Sequence, residues 1–144
     1  TGLVQLRPYR RILLIALGTE AAMAGYRVKY TLASKLANEL VEAADEMILA
    51  KTIARYGRVD LLCLDELGYL PIDKFGADGL FQILSHRYER GATLITTNRV
   101  YSQWAGIFNG DSVLTSALLD RLLHHAETVP IEGRSFRTKD QIEP

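Results

Sequence analysis

Two short apolar runs, each ending in polar side chains, constrain the fold of this chain more than any other feature. Residues 59–64 and 92–97 have the length and apolar content of strands buried on both faces. Between them lies a stretch up to Arg90 with helically spaced apolar side chains, which Asp73 is placed to cap. Strands that alternate with helices predict an α/β fold with a mostly parallel sheet.

The same patterns predict the remaining elements. Only residues 3–6 offer a strand before the first helix, and Gly25 is a stop signal after that helix. The spacing is typical of helices over residues 12–24, 34–55 (as one helix or two), 102–108 with Ser102 as the cap, and 112–125, and of strands over residues 26–30 and 127–131.

Composition narrows the class of protein. A chain of 144 residues without a linker predicts one domain over residues 1–144. Seventeen basic and seventeen acidic residues cancel, so net charge indicates neither a nucleic-acid nor a membrane partner. The longest strictly apolar run, residues 12–17, is far shorter than the roughly 20 residues that span a bilayer. With a single cysteine, a soluble cytoplasmic protein is expected.

Two acids follow the first apolar run, at the edge of a parallel sheet where ligands bind. Four apolar residues and then Asp65-Glu66 have the form of a Walker B element. In that chemistry the first acid binds Mg²⁺ at a nucleotide's phosphates, and the second activates the attacking water. The alternative is an ordinary strand whose terminal acids cap the next loop.

Asn98 and Arg121 fit the same chemistry. Asn98 ends the second apolar run and would hold the attacking water, the role called sensor 1; the alternative is an asparagine that closes a turn. Arg121 lies in a leucine-rich helix and would reach a neighbouring subunit's phosphates as an arginine finger. The alternative for Arg121 is an ion pair with Glu127 or another acid of the same chain.

The chain resembles the IstB family of AAA+ ATPases, which assist transposases and are related to the DnaC helicase loaders. The resemblance rests on IALGTEAAMAGYRVKYTLASKLANEL (15–40), ARYGRVDLLCLDELGYLPIDKFGADGLFQIL (54–84), TLITTN (93–98), ALLDRLLHHAE (117–127) and IEGRSFR (131–137), the last of which contains Arg137. It implies a three-layer P-loop NTPase core of the ASCE type that binds ATP and Mg²⁺. It assigns Asp65 to Mg²⁺, Glu66 to the general base, Asn98 to sensor 1 and Arg121 to the finger.

The resemblance also implies a homo-oligomer that assembles on DNA and acts on a transposase. In such proteins, helices between the second strand and Walker B line the DNA path. Here these helices fall within residues 31–58, where Lys35, Lys51 and Arg55 are candidates for phosphate contacts. The alternative for each base is a solvated helix face.

One motif of the family is missing. A P-loop needs G-x-x-x-x-G-K-[ST] before the first helix, and this chain has Arg7-Pro8-Tyr9-Arg10-Arg11 there. Three explanations compete, in this order: a fragment or a sequence with a stretch missing, a degenerate copy, or arginines (Arg7, Arg10, Arg11) that contact phosphates themselves. Loss of a central first strand would expose apolar surface, so a stable monomer is not expected. The helical N-terminal region that meets the transposase is also expected to be absent.

These observations predict an ATP-dependent, DNA-binding transposition helper that recruits or regulates a transposase. ATPase activity itself is left open, because it rests on the resemblance and the chain lacks a recognisable Walker A motif. Two rivals remain: a DnaC-like replicative helicase loader, and a DNA-binding remnant of the same fold that does not hydrolyse ATP.

Overall fold

The computed structural model describes the backbone of residues 2–4 and the chain from residue 9 to residue 130. A short 3₁₀ turn, Tyr101–Gln103, precedes α5. The strands and helices are β1 (Gly2–Val4), α1 (Tyr9–Met23), β2 (Val28–Leu32), α2 (Ala33–Asp45), α3 (Leu49–Gly57), β3 (Leu61–Leu67), α4 (Lys74–Arg87), β4 (Ala92–Thr97), α5 (Trp104–Ile107), α6 (Ser112–His124) and β5 (Glu127–Val129).

The five strands form one sheet in the order β2-β3-β4-β1-β5, and every neighbouring pair is parallel. The predicted α/β fold with a parallel sheet is therefore confirmed. The candidate first strand, residues 3–6, is confirmed in part: Gly2–Val4 lies inside the sheet and pairs with both β4 and β5, and residues 5 and 6 lie outside the described residues. Each of the three residues of β1 pairs with a residue of β4 on one side and with a residue of β5 on the other.

Alternate residues of β3 face the two sides of the sheet, as the pleat of a strand requires. Leu62 and Leu64 belong to the main core with α2, α3, α4 and α6. Leu61 and Cys63 point the other way and pack against Leu14 of α1. The sheet therefore lies between α1 and the other long helices, which is the three-layer arrangement expected. Within the described ranges, no helix is long and apolar enough to cross a membrane.

Local signals decide where the helices begin and end. Asp73 caps α4 as predicted, because its Oδ1 accepts a hydrogen bond from the Gly76 amide at 2.8 Å. The stretch 34–55 is two helices, since Met47 takes a left-handed conformation with φ 60° between α2 and α3. Ser102 is not a cap: it lies inside the 3₁₀ turn, where no side chain caps the helix.

Arg87, at the end of α4, ties the helical layer to the sheet. It is 1% exposed, and its guanidinium donates hydrogen bonds to the carbonyl oxygens of Val59 and Ala92, each at 2.7 Å, and of Tyr56 at 2.9 Å. These carbonyls belong to the segments that enter β3 and β4, so Arg87 fixes both strand starts. The edge of the sheet that carries the acids lies at the other end of the same strands.

Candidate functional site

Asp65 lies at the point where the carboxyl ends of β2, β3 and β4 meet. The carboxylate is 1% exposed. Its Oδ1 accepts a hydrogen bond from the hydroxyl of Thr96 on β4. Its Oδ2 accepts from Tyr30 Oη of β2 at 2.6 Å and from Arg11 Nε of α1 at 2.9 Å. Three elements that flank β3 thus direct their donors at one buried carboxylate.

These donors set the protonation state of Asp65. Burial alone would raise the pKa of the carboxyl, since it disfavours the charged form. Hydrogen bonds from Thr96, Tyr30 and Arg11, with the positive charge of Arg11, outweigh burial and lower the pKa below its ordinary value. Burial and the bond to Asp65 also raise the pKa of Tyr30 to about 12. Asp65 is therefore a stable anion and Tyr30 a stable donor.

Glu66 follows Asp65 in an unusual backbone conformation. Its φ is 60°, in the left-handed region, and the β3–β4 register shifts between Leu64 and Leu67. The Glu66 amide donates to Thr96 Oγ1 at 2.8 Å, so one threonine contacts both acids. A non-glycine residue in this region stores about 1 kcal/mol of strain, which persists because the surrounding contacts fix it.

Two arginines in the first turn of α1 occupy this edge of the sheet. The Arg11 guanidinium bridges the acid pair, with Nε 2.9 Å from Asp65 Oδ2 and Nη2 3.0 Å from Glu66 Oε1. Its hydrogen bond to Asp65 raises the pKa of Arg11. Arg10 is buried and donates from Nη1 to the Thr97 carbonyl at 2.7 Å and to Tyr69 Oη at 2.8 Å.

Asn98 is exposed immediately after β4. The β4 side chain that touches Asp65 is Thr96, and Thr97 donates to the Leu67 carbonyl at 2.6 Å. Asn98 therefore lies at the same edge of the sheet as the acids, and the β4 side chain in contact with Asp65 is Thr96. Threonines in a strand are ordinary β-formers, so the sequence carried no sign of this contact.

Arg121 lies at the opposite edge. It lines a cleft with Gly91 and Ala92 at the start of β4, its Nη1 donates to the Ala117 carbonyl at 3.1 Å, and its guanidinium lies 5.2 Å from the ring centre of Phe81. Within the described residues Arg121 makes no ion pair, so the expected alternative partner Glu127 is not one. The length of β4 separates Arg121 from the acid pair of its own chain.

The predicted DNA contacts lie on α2 and α3. Lys35 is exposed on α2, and Lys51 and Arg55 are exposed one turn apart on α3. Arg55 pairs with Glu39 of α2 and lies over the ring of Tyr56. Arg58, a further exposed base, follows directly after α3, seven positions after Lys51. Arg7 and Arg137 lie outside the described residues.

The acid pair does not fit Mg²⁺ as it is arranged. Mg²⁺ demands near-octahedral oxygen ligands and usually keeps several waters. Both oxygens of Asp65 already accept hydrogen bonds, its carboxylate is buried, and the Arg11 guanidinium stands beside it. A cavity of about 330 Å³ beside Glu66 is lined by Ala33, Ser34, Tyr69 and Leu70, but Asp65 does not line it. The predicted ligand of Mg²⁺ is thus engaged by the protein itself.

A parallel sheet in this strand order, with paired acids at the end of β3 beside the start of the first helix, defines a P-loop NTPase fold of the AAA+ type. Solved structures agree. AMPPCP-bound DnaA from Aquifex aeolicus is similar with a TM-score of 0.75 and 24% identity, over 91% of this chain and 39% of that one. A crystal structure of the DnaC helicase loader is similar with a TM-score of 0.73 and 20% identity, over 91% of this chain and 76% of that one.

The sequence places the chain more narrowly. The family model for IstB-like ATP binding proteins matches residues 10–144, and the chain belongs to this family. A protein of insertion sequence IS21 from Pseudomonas aeruginosa, described as ATP-binding, is 40% identical over 129 residues, which is 90% of this chain and 48% of that protein. A counterpart in IS5376 of Geobacillus stearothermophilus is 38% identical, over 90% of this chain and 51% of that protein. The chain spans about half the length of these relatives.

Proposed function

We propose that this chain serves an insertion sequence as a DNA-binding helper that acts with the transposase of the same element. The observation that carries the proposal is the similarity to proteins of insertion sequences over nine-tenths of this chain. The fold supports it, because the paired acids and the flanking strands of an AAA+ core are retained.

In this proposal, basic side chains at α3 bind the DNA. Lys51 and Arg55 stand one turn apart on α3, and Arg58 follows directly after its last residue, so three positive charges lie close together in the chain at this helix. All three are exposed, so a phosphate backbone can reach them. Arg55 pairs with Glu39 of α2, so a phosphate would compete with this carboxylate. Lys35 on α2 adds a fourth charge near the same helix pair.

We also propose that the chain works as a homo-oligomer. The support is the position of Arg121, which lies at the edge of the sheet opposite to its own acid pair and contacts Phe81 there. An arginine so placed acts on an acid pair only across an interface between copies.

Two versions of this function differ in whether the chain binds and hydrolyses ATP. In the first, ATP and Mg²⁺ bind at Asp65, and Glu66, Asn98 and Arg121 serve hydrolysis; these roles remain predictions. In the second, the chain keeps the fold and its DNA contacts without hydrolysis. The bridge from Arg11 to both acids favours the second. The helicase-loader alternative is supported by likeness of fold alone.

The test is fluorescence anisotropy of a labelled DNA duplex titrated with the purified chain at several salt concentrations. We expect binding that the double variant Lys51→Ala/Arg58→Ala weakens at least tenfold, with a salt slope lower by about 2, since each lost phosphate contact removes about 0.9. The control is Lys74→Ala, which removes an exposed charge on α4. Equal losses in both variants, or no binding by the wild type, would contradict the α3 assignment.

The partner is tested separately. Transposase of an insertion sequence that encodes a close relative, immobilised on its terminal DNA, should retain this chain, and excess free duplex should not release it. Retention that depends on the DNA alone would reduce the function to DNA binding.

A further inference from the structure

The first turn of α1 stands where an ATPase of this fold has its phosphate-binding motif. That motif, G-x-x-x-x-G-K-[ST], joins the first strand to the first helix and spans eight positions. Here β1 ends at Val4 and α1 begins at Tyr9. Counted from Val4, the lysine position falls on Arg10 and the serine or threonine position on Arg11, while the two glycine positions hold Val4 and Tyr9.

The side chains of Arg10 and Arg11 both bind groups of the protein itself. In a P-loop the lysine reaches the nucleotide phosphates and the hydroxyl residue binds the metal ion. Arg10 instead donates to the Thr97 carbonyl and the Tyr69 hydroxyl, and is buried. Arg11 donates to Asp65 and Glu66, with 47% of its side chain exposed. The residue in the metal-binding position thus brings a positive charge of its own to the carboxylates that would face the metal.

We propose that Arg11 is a built-in counter-ion that replaces the divalent cation at the Asp65–Glu66 pair, so that this chain neither needs nor binds Mg²⁺ there. A planar guanidinium matches two carboxylates at once, because its donors are fixed in a fork. A metal ion beside it would meet a like charge and a carboxylate whose two oxygens already accept three hydrogen bonds.

This inference goes beyond the proposed DNA-binding function and does not depend on it. The α3 bases lie on another element, so DNA binding and metal exclusion are measured independently. The proposal predicts a gain of function: without the guanidinium the like charge is gone and Asp65 Oδ2 accepts one hydrogen bond fewer, so the pair can take a divalent cation.

The experiment uses Mn²⁺ as a spectroscopic substitute for Mg²⁺, titrated into the full chain and followed by electron paramagnetic resonance. Any Mn²⁺ that the wild type binds up to about 1 mM, for example at the exposed group Glu89, His124 and His125, is expected to be unaffected by Asp65→Asn. Arg11→Gln is expected to bind about one further ion, with a Kd below about 0.1 mM. Asp65→Asn introduced into the Arg11→Gln background should remove the gained site. Arg27→Gln is the matched control, because Arg27 pairs with Asp60 at the other edge of the sheet.

Two results would overturn the proposal. One is a Mn²⁺ ion bound by the wild type, displaced by Mg²⁺ and lost in Asp65→Asn; this test needs no Arg11 variant. The other is a folded Arg11→Gln chain, checked by the fluorescence of the buried Trp104, that gains no site. If Arg11→Gln does not fold, Arg11→Met serves, since it keeps an unbranched apolar side chain on α1, removes the positive charge and should gain the same site.

Discussion

The guanidinium of Arg87 donates a hydrogen bond from Nη2 to the carbonyl oxygen of Ala92 at 2.7 Å. This contact links the last residue of α4 to the first residue of β4 across the turn between them. With the bonds to Tyr56 and Val59, it makes one buried cation the donor for backbone carbonyls of two connecting segments. Burial lowers the pKa of Arg87 from its ordinary value, although the group stays charged at any pH at which the protein is studied.

We expect Arg87→Met to lower the free energy of unfolding by about 3 kcal/mol, because it leaves several buried carbonyls without a donor. Urea unfolding followed by Trp104 fluorescence measures the change. Arg90→Met, which removes an exposed arginine three residues away, should stay within about 0.5 kcal/mol of wild type. A similar loss in both variants would mean that net charge, not buried hydrogen bonding, is responsible.

Gly79→Ala should destabilise the chain by about 1–3 kcal/mol. A Cβ at Gly79 would lie 2.8 Å from Leu40 Cδ1, and Leu40 is 1% exposed in the core between α2 and α4. Because Leu40 is packed in the main core cluster, we expect the clash to outweigh the helix propensity gained.

Gly106→Ala is the matched substitution for this prediction. Gly106 lies in α5, and a Cβ there meets no atom within 4 Å, so alanine should stabilise by about 0.5–1 kcal/mol. Differential scanning calorimetry of both variants measures whether each substitution lowers or raises the stability. A gain in Gly79→Ala would show that α2 and α4 separate easily.

Tyr56 should make the protein sensitive to alkali. Burial and the hydrogen bond to Glu39 raise the pKa of Tyr56 to about 12. The unfolded value is about 10, so the stabilising contribution is complete below pH 10 and lost as the pH rises through 12. Tyr56→Phe should therefore be less stable than wild type at pH 8, and its free energy of unfolding should fall less steeply above pH 10. Parallel curves would exclude this linkage.

Asp65 should govern the response to acid. Its pKa is lowered in the folded state, so its contribution is complete above the unfolded value of about 3.9 and lost as the pH falls through the folded value. We expect Asp65→Asn to be less stable than wild type at pH 7 and to have a flatter dependence below pH 4. Asp45→Asn, at an exposed position on α2, should keep the wild-type slope.

Patterns within one element were readable from the sequence, whereas contacts between distant elements were not. The strand over residues 92–97, the Asp73 cap and the acids at the end of β3 follow from local periodicity and capping chemistry, and the structure has each of them. The α2–α3 break depends on the backbone conformation of Met47, which has no signal in residue type.

The missed features of the site share a different cause. Arg11 and Asp65 are far apart in sequence, and their contact exists only because α1 packs against the sheet beside β3. An arginine cluster before a helix is compatible with phosphate binding and with an internal ion pair, and only the folded chain distinguishes them. The role of Arg87 was missed for a similar reason, because the sequence does not show whether an arginine is buried or exposed.

The position of β1 has a consequence for the order in which the chain is made. Gly2–Val4 leaves the ribosome before the two strands that pair with it, which contain Leu94 and Glu127. β2 and β3 are both made before β4 and β5, so β1 keeps unpaired amides and carbonyls until those two strands are made. Unpaired strand edges in nascent chains promote aggregation. Yield from a living cell should therefore depend more on how quickly β4 and β5 are delivered than on the stability of the finished fold.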